Sequence, residues 1–282
     1  MNIYAFRKLR SAIGRLHDIL LKNSSLKHVP SAYVSGSFRR MERGSCNGRC
    51  FILCNGPSVS FQDLSPLAKE VVFCVSQGFL HNQYMQILPD YHCLPQITYE
   101  AMKGGRRVVV EYLKAIDRSI TSGNIFLSVT ERKLVEDNGI FSSRNVIYLN
   151  FCGDWGVVEK NKVIDLGGAL PGVQSVSIMA LFIAMYLGYE EIYLVGADHD
   201  SFRTLEYRYP FASIISTSEN YTVDSSNKIT DVYSELVATV RLWQQYRVLK
   251  EVASANSIVI SNATHGGALD VFPRVSLDSL FS

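Results

Sequence analysis

Residues 171–200, PGVQSVSIMALFIAMYLGYEEIYLVGADHD, constrain the fold more than any other stretch, because one run reads as helix, tight turn, buried strand and acidic tip. Pro171 and Gly172 mark the helix start. Val173, Val176, Ile178, Ala180, Leu181, Ile183, Ala184 and Leu187 make it apolar nearly all round, as expected of a helix packed deep in a domain. Gly188 suits the left-handed residue that ends such a helix. Ile192, Tyr193, Leu194 and Val195 then form a short apolar run of the kind covered on both faces in a parallel sheet. The strand ends at Gly196, followed by Asp198, His199 and Asp200. In open α/β sheets ligands bind just beyond the carboxyl ends of the strands, so these three ionisable side chains form a candidate site.

The rest of the chain alternates the same patterns. Strands are expected at 50–53, 71–75, 125–129, 145–149 and 257–261. Helices are expected across 79–120, broken at Pro89, Pro95 and Gly104-Gly105, and at 131–138 and 231–255. Polar stretches at 150–168 and 201–229 read as lid loops beside the acidic tip. The alternation favours an α/β fold with a doubly wound, mainly parallel, Rossmann-like sheet. At 282 residues and 47% hydrophobic, the chain can bury a full core.

Charge divides the chain unevenly. Residues 1–50 carry ten Lys or Arg against Asp18 and Glu42, leaving 18 basic against 24 acidic residues for the remainder. Residues 4–22 place Leu9, Ile13, Leu16, Ile19 and Leu20 at helical spacing among Arg7, Lys8, Arg10, Arg15 and Lys22. Such a basic amphipathic helix fits a peripheral contact with an anionic membrane, and equally a helix packed on its own domain or on a second subunit of a homo-oligomer. The expected division is therefore 1–47, helix and linker, and 48–282, a Rossmann-like nucleotide-sugar-binding catalytic domain. Nothing points to nucleic acid as a partner. The longest apolar stretch, 176–187, is too short to span a bilayer. With scattered cysteines and no apolar leader, a cytoplasmic location is expected. Cys46, Cys50 and Cys54 lack the paired spacing of structural zinc sites.

Three segments carry candidate chemistry. The turn Cys54-Asn55-Gly56-Pro57-Ser58 follows a strand, and its backbone N–H groups are placed to cradle a phosphate, although neither a Walker P-loop nor a GxGxxG fingerprint is present. Asp198-His199-Asp200 reads in three ways: oxygen ligands for a divalent metal, a general base for an acceptor hydroxyl, or a capped and solvated turn. His265, in the loop Asn262-Ala263-Thr264-His265-Gly266-Gly267, is a second histidine after a strand. Tyr207, Arg208, Tyr209 and Tyr221 suit a sugar or an anionic carboxylate, or simply packing. His17, His81 and His92 read as surface or structural residues. The absence of GxSxG lowers the case for acyl transfer.

FILCNGPSVSFQDL, GVQSVSIMALFIAMYLGYEEIYLVGADHD and NATHGGALDVFPRV together resemble the MptE-like (6-hydroxymethylpterin diphosphokinase-like) proteins of bacterial surface-polysaccharide clusters. The first two are also similar to small bacterial sialyltransferases that use CMP-sialic acid. The resemblance covers most of residues 49–276. It implies that Asn55, Gly56 and Ser58 contact the nucleotide with Ser76 or Gln77 beside them, that Gly172 faces the donor, and that Asp198 sits at the nucleotide edge. The GHSK-like catalytic loop of those sialyltransferases is missing here, so His199, Asp200 and His265 stand as its replacements. The implied function is transfer of a sugar from a nucleotide donor, a CMP-activated keto-acid sugar such as sialic acid or Kdo, to a surface glycan, with no cofactor required. The alternatives are a Mg-dependent pterin or nucleotide diphosphokinase, with Asp198 and Asp200 on the metal, and a non-catalytic scaffold of polysaccharide assembly.

Overall fold

Strands β1 (Arg49–Leu53), β2 (Val72–Val75), β3 (Tyr91–Cys93), β4 (Asn124–Ser128), β5 (Val146–Gly153), β6 (Ala169–Pro171), β7 (Glu191–Val195) and β8 (Val259–Asn262) all pair in parallel, in the order β6-β5-β4-β3-β2-β1-β7-β8. This computed structural model describes residues 41–97, 105–206, 210, 228–229 and 231–282. Of the two units into which the chain divides, 1–33 and 34–282, only the second contains described residues. The basic helix expected at 4–22 and the residues Tyr207, Arg208, Tyr209 and Tyr221 lie outside them. Among the described residues no helix is long and apolar enough to cross a membrane.

The helices are α1 (Tyr84–Ile87), α2 (Gly105–Ser119), α3 (Arg132–Asp137), α4 (Trp155–Asn161), α5 (Val176–Leu187), α6 (Ser201–Thr204) and α7 (Val232–Ala255). They cover both faces of the sheet, giving the expected α/β architecture. Side chains alternate along each strand, so β4 sends Ile125 and Leu127 into a core with Val109, Leu113 and Ile116 of α2, and Phe126 into the opposite core with α5.

The position of α5 explains its composition. From β6 at one edge, the chain must return across ~29 Å of sheet to place β7 beside β1, taking the usual strand spacing. Helix α5, 12 residues or about 18 Å long, carries the chain back to the amino end of the sheet within that crossing. Its upper side meets the sheet, Phe182 packs on Trp155 of α4 at 5.4 Å, and Ser177 meets Tyr246 of α7. Every residue from Ser177 to Leu187 is buried as a result.

Several boundaries differ from the sequence expectations. The helix start is not Pro171-Gly172: Pro171 ends β6, an edge strand where its missing N–H is tolerated, and Ser175 caps α5 by accepting from the Ser177 N–H. The segment 79–120 contains strand β3. Three residues with a histidine in the middle give no apolar run, and His92 is accommodated by hydrogen-bonding Ser122 O at 3.0 Å. The expected lid loop at 150–168 is instead the end of β5 followed by α4. Asp154 caps α4 by accepting from Gly156 N, and the Trp155 indole N–H donates to Gly172 O at 2.8 Å.

Candidate functional site

The strand order reverses between β1 and β7, so the chain leaves these two neighbouring carboxyl ends in opposite lateral directions and opens a crevice there. Their register runs from Arg49↔Glu191 to Leu53↔Val195, and the pairing continues beyond the strands as Gly56 N donates to Gly196 O at 2.8 Å. The turn Asn55–Ser58 therefore meets Asp198 through Gly56 and Ser58, with His199 and Asp200 next along the same loop.

Within this meeting point Asp198 is spent on structure. It is 5% exposed and accepts from Ser58 Oγ at 2.7 Å and Ser58 N at 3.2 Å. Burial pushes its carboxyl above the usual range, with the Ser58 hydrogen bonds pulling the other way. Its backbone O also accepts from Ala268 N, which ties the loop after β8 to the same point. Gly56 is required here because a Cβ would lie 1.8 Å from Asp198 Oδ2 and 2.5 Å from Gly196 O.

The turn does not offer the expected ring of free N–H groups. Gly56 N is bonded to Gly196 O, Ser58 N to Asp198, and Pro57 has no N–H. What the turn does offer is Asn55. Its Nδ2 donates to Val75 O at 3.0 Å, while its buried Oδ1 has no partner, an arrangement that typically costs on the order of 1–3 kcal/mol until a donor arrives.

His199 and Asp200 differ from Asp198. His199 is half-buried with φ 48°, and Ser76 after β2 has φ 51°. Non-glycine residues in this left-handed region cost on the order of 1 kcal/mol; Ser76 directly follows β2, and His199 lies in the loop after β7. His199 Nε2 lies 2.8 Å from the hydroxyl of Tyr246, and desolvation pushes the imidazole pKa down to about 4, so the ring is neutral at physiological pH. Nδ1 has no hydrogen-bond partner among the described residues. The Asp200 carboxylate likewise makes no hydrogen bond or ion pair there.

The remaining predicted residues scatter. Ser76 and Gln77 lie at the end of β2, next to β1 and on the same edge. Gly172 is exposed and precedes the start of α5, where its carbonyl accepts from Trp155 and Gln245. His265 is exposed on the loop after β8. Its backbone N–H donates to Gln62 Oε1, and Arg274 holds that loop by donating to the carbonyls of Thr264, Gly266, Gly267 and Leu269. Among the described residues no three His, Cys, Asp or Glu side chains are grouped to hold a metal ion. Sequence reasoning missed Tyr246, which sits mid-helix among other large residues with no local signal. It also missed Glu131, whose place after β4 hides a carboxyl with no exposure.

No family model matches the chain, and no curated protein matches it. Among solved structures, the MAf glycosyltransferase from Magnetospirillum magneticum AMB-1 is similar at 16% identity and a TM-score of 0.48. The match covers 88% of this chain and 38% of that one, so the chain spans little more than a third of its length. These comparisons add no family or sequence support to the resemblance in the three segments.

Proposed function

We propose that this chain is a glycosyltransferase that takes a sugar from a nucleotide donor, with a CMP-activated keto-acid sugar as the donor class and a surface glycan as acceptor. The single observation that supports it is an unsatisfied buried acceptor, Asn55 Oδ1, at the end of β1 where strand order reverses; the Asp200 carboxylate, after the adjoining β7, has no partner among the described residues. A donor hydroxyl or amine of a nucleotide satisfies the first. The second is free to take the proton of an acceptor hydroxyl. The phosphate of CMP is the leaving group. The start of α5 is closed by Ser175, which accepts from the Ser177 and Ile178 N–H groups. Through Ser177 and Tyr246 that helix start is only two hydrogen bonds from His199. A diphosphokinase reading asks Asp198 to ligate magnesium with Asp200, yet both Asp198 oxygens are already taken by Ser58.

Calorimetry with CMP and with ATP, each with and without Mg²⁺, tests the proposal. The expected result is CMP binding that does not depend on the metal, followed by consumption of one member of a CMP-sugar panel. Tight Mg·ATP binding with no affinity for CMP overturns it.

A further inference from the structure

Tyr246 is fully buried on α7, yet its hydroxyl is the centre of a polar chain drawn from three elements. Ser175 Oγ, the cap of α5, lies 2.8 Å from Ser177 Oγ; Ser177 Oγ lies 2.6 Å from Tyr246 O; and Tyr246 O lies 2.8 Å from His199 Nε2. Each hydroxyl has one proton to give, so the chain must be polarised in one direction or the other. The imidazole nitrogen is the strongest acceptor in the series and the phenol a stronger donor than an aliphatic hydroxyl. Ser177 then donates to Tyr246, and Tyr246 donates to His199 Nε2.

The second buried histidine shows that this is a choice. His92 Nε2 lies 3.0 Å from the carbonyl oxygen of Ser122, which can only accept, so His92 must carry its proton on Nε2. His199 faces a group that can donate, and the proton of a neutral ring must then sit on the other nitrogen.

We propose that Tyr246 is a positioning residue that fixes neutral His199 with its proton on Nδ1, so that this nitrogen, without a partner among the described residues, offers a hydrogen bond to an anionic substrate oxygen. The assignment to a substrate rests on the strand end of β7 being the reacting edge. It reverses the sequence expectation for His199: the ring donates, to a leaving phosphate oxygen or a sugar carboxylate, and proton abstraction falls to Asp200. A neutral imidazole used as a donor adds no positive charge to a site that disfavours it.

The test needs no sugar donor. The full chain is labelled with ¹⁵N-histidine, and long-range ¹H–¹⁵N correlation at neutral pH reads which nitrogen of each of its six histidines is protonated, with His199→Gln giving the assignment. The expected spectrum shows His199 protonated at Nδ1 and bare at Nε2, with His92 the opposite. Tyr246→Phe shifts His199 towards the Nε2-protonated form that free imidazole side chains favour, while Ser177→Ala, which keeps the Tyr246 bond, leaves it on Nδ1. A protonated Nε2 on His199 in the unaltered chain overturns the proposal, and so does an unchanged His199 pattern in a folded Tyr246→Phe variant. If Tyr246→Phe does not fold, the unaltered chain and Ser177→Ala decide between the two. If sugar transfer fails while the Nδ1 pattern holds, the catalytic reading falls and the positioning role stands.

Discussion

Two pairs of neighbouring strands each carry a histidine that contacts a tyrosine, and a buried acid. At β3 and β4, His92 contacts Tyr84 and Glu131 is a buried acid; at β1 and β7, His199 contacts Tyr246 and Asp198 is a buried acid. Desolvation pushes both histidines down to about 4 and both acids up, Glu131 to about 7. A perturbed pKa therefore does not distinguish the two regions. They differ in where the unsatisfied atoms lie. His92 is closed off by a carbonyl, and Glu131 Oε1 accepts from Ile97 N and Thr130 Oγ1 to pin one loop to another, leaving Oε2 buried without a partner. At the second region the acid is saturated by Ser58, and the adjoining His199 and Asp200 have polar atoms without a partner among the described residues, near the point where strand order reverses.

The largest effect expected is at Gly56. Gly56→Ala drives a Cβ into Asp198 and the Gly196 carbonyl and should lower stability by more than about 3 kcal/mol in urea denaturation. A loss below ~1 kcal/mol would show that the β1–β7 junction yields, and that the two regions are not equally rigid. Next comes Glu131, a titration of the closed region. Its folded pKa of about 7 lies above the unfolded value of 4.5, so its contribution is fully present below 4.5 and is lost as pH rises through 7. Between pH 4.5 and 8 the stability difference between Glu131→Gln and the unaltered chain should move in favour of glutamine by about 3 kcal/mol. A pH-independent difference would mean that folding leaves the Glu131 pKa at its unfolded value. The smallest effects separate two neighbours on one strand end. Asp198→Ala leaves the buried Ser58 N–H and hydroxyl unpaired and should cost about 2 kcal/mol. Asp200→Asn should change stability by less than about 0.5 kcal/mol while removing transfer and leaving CMP affinity intact. Equal stability losses in the two variants would erase the distinction between bracing and chemistry on which the comparison stands.

The residues that announced themselves in the sequence did so through pattern. The run 171–200 was legible because an all-round apolar helix followed by four apolar residues has few other uses, and Gly188 ends α5 in the left-handed conformation as expected. Strands β3 and β6 were not legible. One has a buried histidine at its centre, stabilised by a carbonyl 30 residues away, and the other ends in a proline that local rules assign to a helix start. The site was legible to the level of strand ends: Asn55–Ser58 and Asp198–Asp200 do meet. Which of them are free was not, since that depends on the Ser58–Asp198 and Tyr246–His199 bonds, made across 140 and 47 residues.

The long return through α5 also fixes when the crevice can exist during synthesis. Strands β1 to β6 are added side by side in chain order, each pairing with the one before it. The partner that completes the crevice is different: Phe51 waits for Tyr193, so the β1 edge stays unpaired until the crossover has emerged and docked. Closing so long a loop is slow compared with neighbouring strand additions. Until then the chain exposes a bare strand edge and the most apolar helix in the described structure together, a combination that invites aggregation. The same connection that builds the crevice makes the nascent chain's most vulnerable interval the one just before β7 arrives.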